Sequence, residues 1–280
     1  MNIGIIGLGL MGGSFARVCK KFGHVVYAFD KSRDVMKKGE LLNAYDFVLT
    51  EKNADKLDLL VAAVFPDAFS SVSERFLPYL KKGAVVSDFC GTKRRVTGVM
   101  KEFSLKRPDL SFIGMHPMAG REYSGIEHSS INLFDRASMI FVPVSADIAA
   151  LDKMKKFFLS LGFGKVVICS AEEHDAVIAY TSQLCHIVSN AFVKNESAEK
   201  HDGFSAGSYR DLTRVSRLDP VMWSQLMIEN KDNLTAELDE LITNLNDYLA
   251  ALKCCDQEKL EDLLRVGNDR KIAIDVSKNK

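Results

Sequence analysis

The stretch Met1-Asn2-Ile3-Gly4-Ile5-Ile6-Gly7-Leu8-Gly9-Leu10-Met11-Gly12 decides the fold. Residues 2–6 form a short apolar run, the pattern of a strand buried on both faces. The run passes directly into Gly7-x-Gly9-x-x-Gly12, and residues 11–22 then carry apolar side chains at helical spacing. A second β-branched and aromatic run, residues 25–29, ends in Asp30, roughly 20 residues beyond the glycines. Strand, glycine turn, helix, strand and acid follow one another in the order of a dinucleotide-binding unit.

Each residue type has a physical task in that unit. Gly7 permits the tight turn, Gly9 lets backbone approach a pyrophosphate, and Gly12 allows close helix–strand packing. The start of the helix offers free N–H groups and the positive end of its dipole to the phosphates. Asp30 is placed to accept hydrogen bonds from ribose hydroxyls and to repel a 2′-phosphate. The expected cofactor is NAD, held by Gly7, Leu8, Gly9, Leu10, Met11, Gly12 and Asp30, while Lys31 and Arg33 leave NADP open.

Outward from this unit, strand patterns recur at residues 57–64, 84–88, 111–115, 138–144 and 165–169, with helical patterns at 66–80, 93–103 and 147–161. Pro66 suits a first helical turn, and Ser145 or Asp147 suits a cap. The alternation predicts a parallel sheet with helices on both faces. Beyond Ser170 no strand pattern remains: residues 172–194, 220–230 and 233–252 read as helices, and 201–208 as a loop. The expected architecture is an α/β Rossmann-type doubly wound sheet over residues 1–170, followed by an all-α domain over 171–280.

Lys and Arg total 37 against 37 Asp and Glu. That balance argues against a nucleic-acid partner, whose phosphates call for a basic excess. No apolar run reaches the roughly 18–20 residues of a membrane span, and the N-terminus lacks a basic signal region. The six cysteines are scattered, with no C-x-x-C, and read as reduced thiols in a cytoplasmic protein, Cys254-Cys255 being two solvent-side thiols on a helix. No cluster has metal-ligand spacing, so no metal is expected.

His116, in Gly114-Met115-His116-Pro117-Met118-Ala119-Gly120, falls at the carboxyl end of a strand, the edge where doubly wound sheets bind ligands. An imidazole there suits a hydroxyl that becomes a carbonyl; a strand-end cap is the alternative. Tyr209-Arg210-Asp211-Leu212-Thr213-Arg214 offers guanidinium groups able to grip a carboxylate, or a salt bridge such as Asp211 with Arg214. His174-Asp175 and His186 share one predicted helix, too far apart for one metal, and either histidine could be structural.

Taken in order, the glycine turn with Asp30, the His116–Gly120 segment, His174-Asp175…His186, and Tyr209–Arg214 followed by Asp219-Pro220-Val221-Met222-Trp223 resemble the prephenate/arogenate dehydrogenase family over nearly the whole chain. The resemblance implies NAD(P)-dependent oxidative decarboxylation of prephenate or arogenate in tyrosine biosynthesis, and a homodimer formed through the helical domain. It implies His116 as the catalytic histidine at the C4 hydroxyl, Arg214 on substrate carboxylate, His186 on the substrate side, Asp211 in an ion-pair network and Trp223 near the pocket. There are departures: Gly91 stands where many relatives carry a substrate-contacting Ser, so that contact is lost or passes to Thr92 or a backbone N–H, Gln183 replaces a His, and Cys185 a Pro. No ACT or chorismate mutase domain, and no tyrosine feedback through one, is expected. The alternatives are a β-hydroxyacid dehydrogenase or imine reductase, which would want a catalytic Lys or Asp on the interdomain helix, and a non-enzymatic dinucleotide sensor. An apolar stripe, Leu234, Leu238, Leu241, Ile242, Leu245, Leu249, Leu252, Leu260 and Leu263, asks for cover by its own domain or a partner.

Overall fold

The computed structural model describes residues 1–278. Its strands are β1 (Asn2–Ile6), β2 (Val25–Phe29), β3 (Phe47–Val48), β4 (Leu59–Ala62), β5 (Val85–Asp88), β6 (Ser111–Pro117), β7 (Ser138–Ser145) and β8 (Lys165–Ile168). Its helices are α1 (Leu10–Lys21), α2 (Arg33–Leu41), α3 (Pro66–Phe76), α4 (Arg94–Lys106), α5 (Ile148–Ser160), α6 (Ala171–Ile178), α7 (Cys185–Phe192), α8 (Gly207–Thr213), α9 (Pro220–Glu229), α10 (Lys231–Lys253) and α11 (Gln257–Lys278). The strands form one sheet in the order β3-β2-β1-β4-β5-β6-β7-β8.

From β1 the chain winds outward through β2 to β3, then returns to the other side of β1 with β4 and continues through β5 to β6, all of them parallel. The switch point therefore lies between β1 and β4, and the carboxyl ends of β1, β4, β5 and β6 share one edge of the sheet. The alternating side chains of these strands feed two cores. Ile3, Ile5, Val26, Val61 and Ile113 join Phe15, Phe141 and Phe158 on one face; Ile6, Leu60, Val86 and Phe112 join Phe69, Phe76 and Phe103 on the other. Phe15 sits within 4.9 Å of the Phe89 ring and 5.7 Å of the Phe158 ring, and burial of each such side chain contributes roughly 1.5–3 kcal/mol.

One expectation fails at the far side of the sheet. β7 runs antiparallel to β6, and β8 follows β7, so the sheet is mixed. The cause is the connection from Met118 to Ala137, which holds only a short 3-10 turn, Ile126–His128; a parallel return needs a crossover, usually a helix. Within residues 1–170, two elements were also absent from the sequence reading, α2 and β3. The Asp147 cap holds, its carboxylate accepting from the Ala150 N–H at 2.7 Å. Cys254 and Cys255 occupy the turn between α10 and α11, with Cys255 at φ 51°, and are exposed there rather than on a helix.

The helical region begins where strands stop, at Ala171, but its first part is not separate. The predicted single helix over 172–194 is α6 and α7 joined by a π-helical stretch, Ala179–Leu184. By compactness the chain divides after Asn230, with residues 1–230 in one unit and α10 and α11 in the other. α6 and α9 stay in the first unit because polar side chains tie them to α4, as described next.

Candidate active site

At the glycine turn, Gly7 has φ +88°, and a Cβ there would meet the Ala63 carbonyl oxygen at 2.5 Å. A Cβ on Gly12 would lie 1.9 Å from the Gly7 carbonyl oxygen, so the turn closes only with glycine at both places. Nothing stands within 4 Å of the Cβ direction of Gly9, and α1 starts at Gly9 with no side-chain cap. Open space beside an uncapped helix start fits a pyrophosphate. Asp30 accepts from the Leu8 N–H at 2.9 Å and the Ser32 N–H at 2.8 Å, which fixes its carboxylate at the carboxyl end of β2. Lys31 and Arg33 beside it are exposed. These residues fit a dinucleotide.

His116 ends β6 on the same edge of the sheet. Its Nδ1 lies 2.8 Å from His174 Nε2, and His174 Nδ1 lies 2.7 Å from Asp175 Oδ1. Asp175 also accepts from the backbone N–H groups of Lys93 (2.7 Å) and Arg94 (3.0 Å) and from Arg94 Nε (3.2 Å). α4 lacks a cap of its own, so Asp175, carried on α6, satisfies its first donors. Behind this chain lies a fully buried ion pair, Lys93 Nζ to Asp88 Oδ2 at 2.5 Å, with Lys93 also donating to the Cys90 carbonyl at 2.8 Å. Asp88 takes the N–H of Met115 through its other oxygen at 3.2 Å, tying the end of β5 to the residue before His116.

Burial, the positive Lys93 and the neighbouring His174 together hold the His116 imidazole well below its ordinary pKa. His174 is also held down, by burial and Lys93, against the opposing pull of Asp175. Burial alone would raise Asp175, but the donors from His174, Arg94 and Lys93 outweigh it and keep the carboxyl below the usual range.

A second group of predicted residues gathers around α7. His186 Nδ1 stands 3.0 Å from the Val215 carbonyl, and its ring centroid is 4.1 Å from that of Trp223. Arg214, next in sequence to Val215, donates to Glu122 Oε1 at 2.9 Å, in the loop after His116. His186 and Trp223 are thus brought together beside the backbone next to Arg214, whose side chain reaches into the loop after His116. Asp211 is exposed on α8 and makes no ion pair among the described residues, so neither the ion-pair network expected of it nor the alternative pair with Arg214 forms, and Arg214 pairs with Glu122 instead. Thr92 is buried and gives its hydroxyl to Glu229 at 2.6 Å, so it is already committed rather than free for substrate. A Cβ at Gly91 would come 3.2 Å from Leu226 Cδ1: an apolar side chain of α9 fills the direction a serine would take.

Sequence reading gave no role to Asp88, Lys93, Glu122 and Asn230, and named Gln183 only as a departure from the family. Asp88 carried a usable signal, an acid closing a buried strand at the ligand edge. Among the described residues no cluster could hold a metal ion, and no helix is long and apolar enough to cross a membrane.

Known proteins resemble this chain throughout. Residues 15–168 match the family model described as prephenate dehydrogenase, nucleotide-binding domain, and residues 170–266 the one described as prephenate dehydrogenase, dimerization domain. A cyclohexadienyl dehydrogenase of Zymomonas mobilis is 30% identical over 98% of this chain and 96% of its own length. A prephenate dehydrogenase of Lactococcus lactis is 26% identical over 98% of this chain and 77% of its own length. The Aquifex aeolicus prephenate dehydrogenase, solved in complex with hydroxyphenyl propionate and NAD+, superposes with a TM-score of 0.80 at 26% identity and covers 98% of both chains.

Proposed function

This chain belongs to the prephenate dehydrogenase family, and we propose that His116 is its base, that Arg214 and His186 hold the acidic substrate, and that NAD is preferred to NADP. It is an NAD(P)-dependent oxidoreductase for the oxidative decarboxylation of prephenate or arogenate in tyrosine biosynthesis. The observation that carries the residue assignment is that His116 and the glycine turn end parallel strands, β6 and β1, on one edge of the sheet with β4 and β5 between them, and that the imidazole there has a lowered pKa.

Bound at Gly7–Gly12, the dinucleotide supplies the hydride acceptor. The His116 imidazole takes the C4 hydroxyl proton as hydride leaves C4, which lets the carbonyl form. Loss of the ring carboxylate as carbon dioxide then returns its bonding pair to the ring, which becomes aromatic, and the proton goes back to the ring oxygen. Arg214 offers two parallel N–H groups to a carboxylate, and the exposed ion pair with Glu122, worth about 0–1 kcal/mol, is readily exchanged for it. Asp30 keeps a negative charge where a 2′-phosphate would sit. Asp211 and Trp223 remain substrate-side residues in this reading, Trp223 through its tilted ring contact with His186, and Thr92 would have to leave Glu229 to join them.

The domain reading remains a nucleotide-binding part over residues 1–170 and a substrate and dimerisation part over 171–280. Its support is that the two family models meet between residues 168 and 170. Ile242, Leu245, Leu249 and Leu252, three or four residues apart on α10, are all exposed in the single chain, as the face of a homodimer would be before pairing.

Crossing prephenate and arogenate with NAD and NADP, and following reduced nicotinamide, tests the function: turnover of one acid with NAD ahead of NADP is expected, and turnover of neither acid with either cofactor contradicts it. Arg214→Ala is expected to raise the KM for the acid about 10- to 100-fold, the worth of a charged hydrogen-bonded contact, with the KM for NAD unchanged. Equal losses for both would make Arg214 a folding residue. The pH dependence follows from the His116 shift. A base acts when neutral, and a lowered pKa keeps it neutral further into acid, so the acid limb of kcat/KM should fall below the ordinary imidazole value of about 6.5. A limb at or above that value contradicts the assignment.

A further inference from the structure

A neutral imidazole carries a proton on one ring nitrogen and a lone pair on the other, and its neighbours decide which. The decision for His116 starts at Asp175. Both oxygens of Asp175 are acceptors, taking N–H groups from Lys93 and Arg94, so His174 can meet Asp175 Oδ1 only by donating from Nδ1. That uses the single N–H of a neutral His174 and leaves its Nε2 as a lone pair. His116 Nδ1 faces that lone pair at 2.8 Å. Two lone pairs do not bond, so Nδ1 of His116 carries the hydrogen and Nε2 is bare. No described residue bonds Nε2.

We infer that Asp175 and His174 are positioning residues that fix His116 in the Nδ1–H tautomer, so that Nε2 is the atom that takes the substrate proton. The assignment rests on His116 being the base, and it adds how one particular nitrogen is made available. The relay is held from behind. Asn230 Nδ2 donates to the Asp175 carbonyl at 2.8 Å and to Gln183 Oε1 at 2.8 Å, and Gln183 Nε2 donates to the Leu226 carbonyl at 3.0 Å. Gln183 lies in the π-helical stretch, a local irregularity often found at functional sites. His174, Asp175, Gln183 and Asn230 are all buried, so water does not compete for these bonds. The charged groups facing the histidine pair are Lys93 from α4, Asp88 from β5, and Asp175 with Arg94 across it. When His116 takes a proton, its Nδ1–H can still donate to His174, and Asp175 lies on the far side to stabilise the positive charge.

The test uses the full-length enzyme labelled with 15N-histidine and observed above the imidazole titration range, with His116→Asn to assign the ring. Long-range 15N–1H spectra should show His116 protonated on Nδ1. His174→Gln keeps an acceptor near the position of Nε2, and should keep both this signature and turnover within about tenfold of wild type. His174→Leu removes the acceptor. It should give a mixed or Nε2–H ring and a kcat lower by about 100-fold or more, with little change in substrate KM. A wild-type ring protonated on Nε2, or a folded His174→Leu enzyme with unaltered ring signals and unaltered kcat, overturns the relay. The ring spectra need no substrate. An Nδ1–H ring in an enzyme that oxidises neither acid supports the relay and refutes the reaction, while an Nε2–H ring in an active enzyme overturns the relay alone.

Discussion

His116→Asn is expected to lower kcat by about 10²- to 10⁴-fold, the contribution typical of a positioned general base. Asparagine retains a polar group at the end of β6 but has no nitrogen that can take a proton near neutral pH. NAD affinity should be nearly unchanged, because His116 is not among the residues that cradle the pyrophosphate; those are at the end of β1 and the start of α1. Stability should also change little, since the side chain is only partly buried and its polar contact is to His174. Stopped-flow turnover together with NAD titration separates these effects. Unchanged turnover removes His116 from the chemistry, and a parallel loss of NAD binding makes it a structural residue of the sheet edge.

The second large effect is on stability. Lys93→Met should cost about 3–5 kcal/mol, because it strands the Asp88 carboxylate in the interior with its counter-charge gone. The Cys90 and Met115 amides still donate to Asp88, at 2.8 Å and 3.2 Å, but two N–H groups replace only part of a full positive charge. Neutralising both partners, Asp88→Asn with Lys93→Met, should recover part of the loss, since the isolated charge is what makes the single change costly. Denaturant unfolding at fixed protein concentration measures both variants. A loss below about 1 kcal/mol for the single variant would show that the pair is not a buried charge pair in solution. Because Asp88 also holds the amide of the residue before His116, the single variant should lose activity at temperatures where it is still folded.

What could be read from the sequence follows from what local chemistry encodes. β1 and β2 were legible to the residue because buried parallel strands are unbroken apolar runs. α1 was legible because Gly7–Gly12 and an apolar stripe mark its start and its face. β3 was not: it is two residues long, and both Phe47 and Val48 are exposed. α2 was not: among its residues only Gly39 is buried, so no apolar period betrays it. The direction of β7 was illegible for a different reason, since a strand's own side chains do not record which way its neighbour runs. Only the missing helix between Met118 and Ala137 hinted at it. At the site, His116 could be found from its place at a strand end, and Arg214 from the chemistry of guanidinium. The partners of both, His174 for one and Glu122 for the other, lie 58 and 92 residues away in sequence. No spacing rule reaches that far. The hydroxyl offered by Thr92 looked available until Glu229, carried on α9, was seen to take it.

The central claim is that one cleft joins the glycine turn, His116 and Arg214 around an acidic ring. A crystal structure of this chain with NAD and a hydroxyphenyl product analogue measures it directly. The account predicts the ring hydroxyl within about 2.6–3.2 Å of His116 Nε2, with a carboxylate on Arg214. A ring bound away from His116, or a carboxylate with Arg214 still on Glu122, in either subunit, would contradict it.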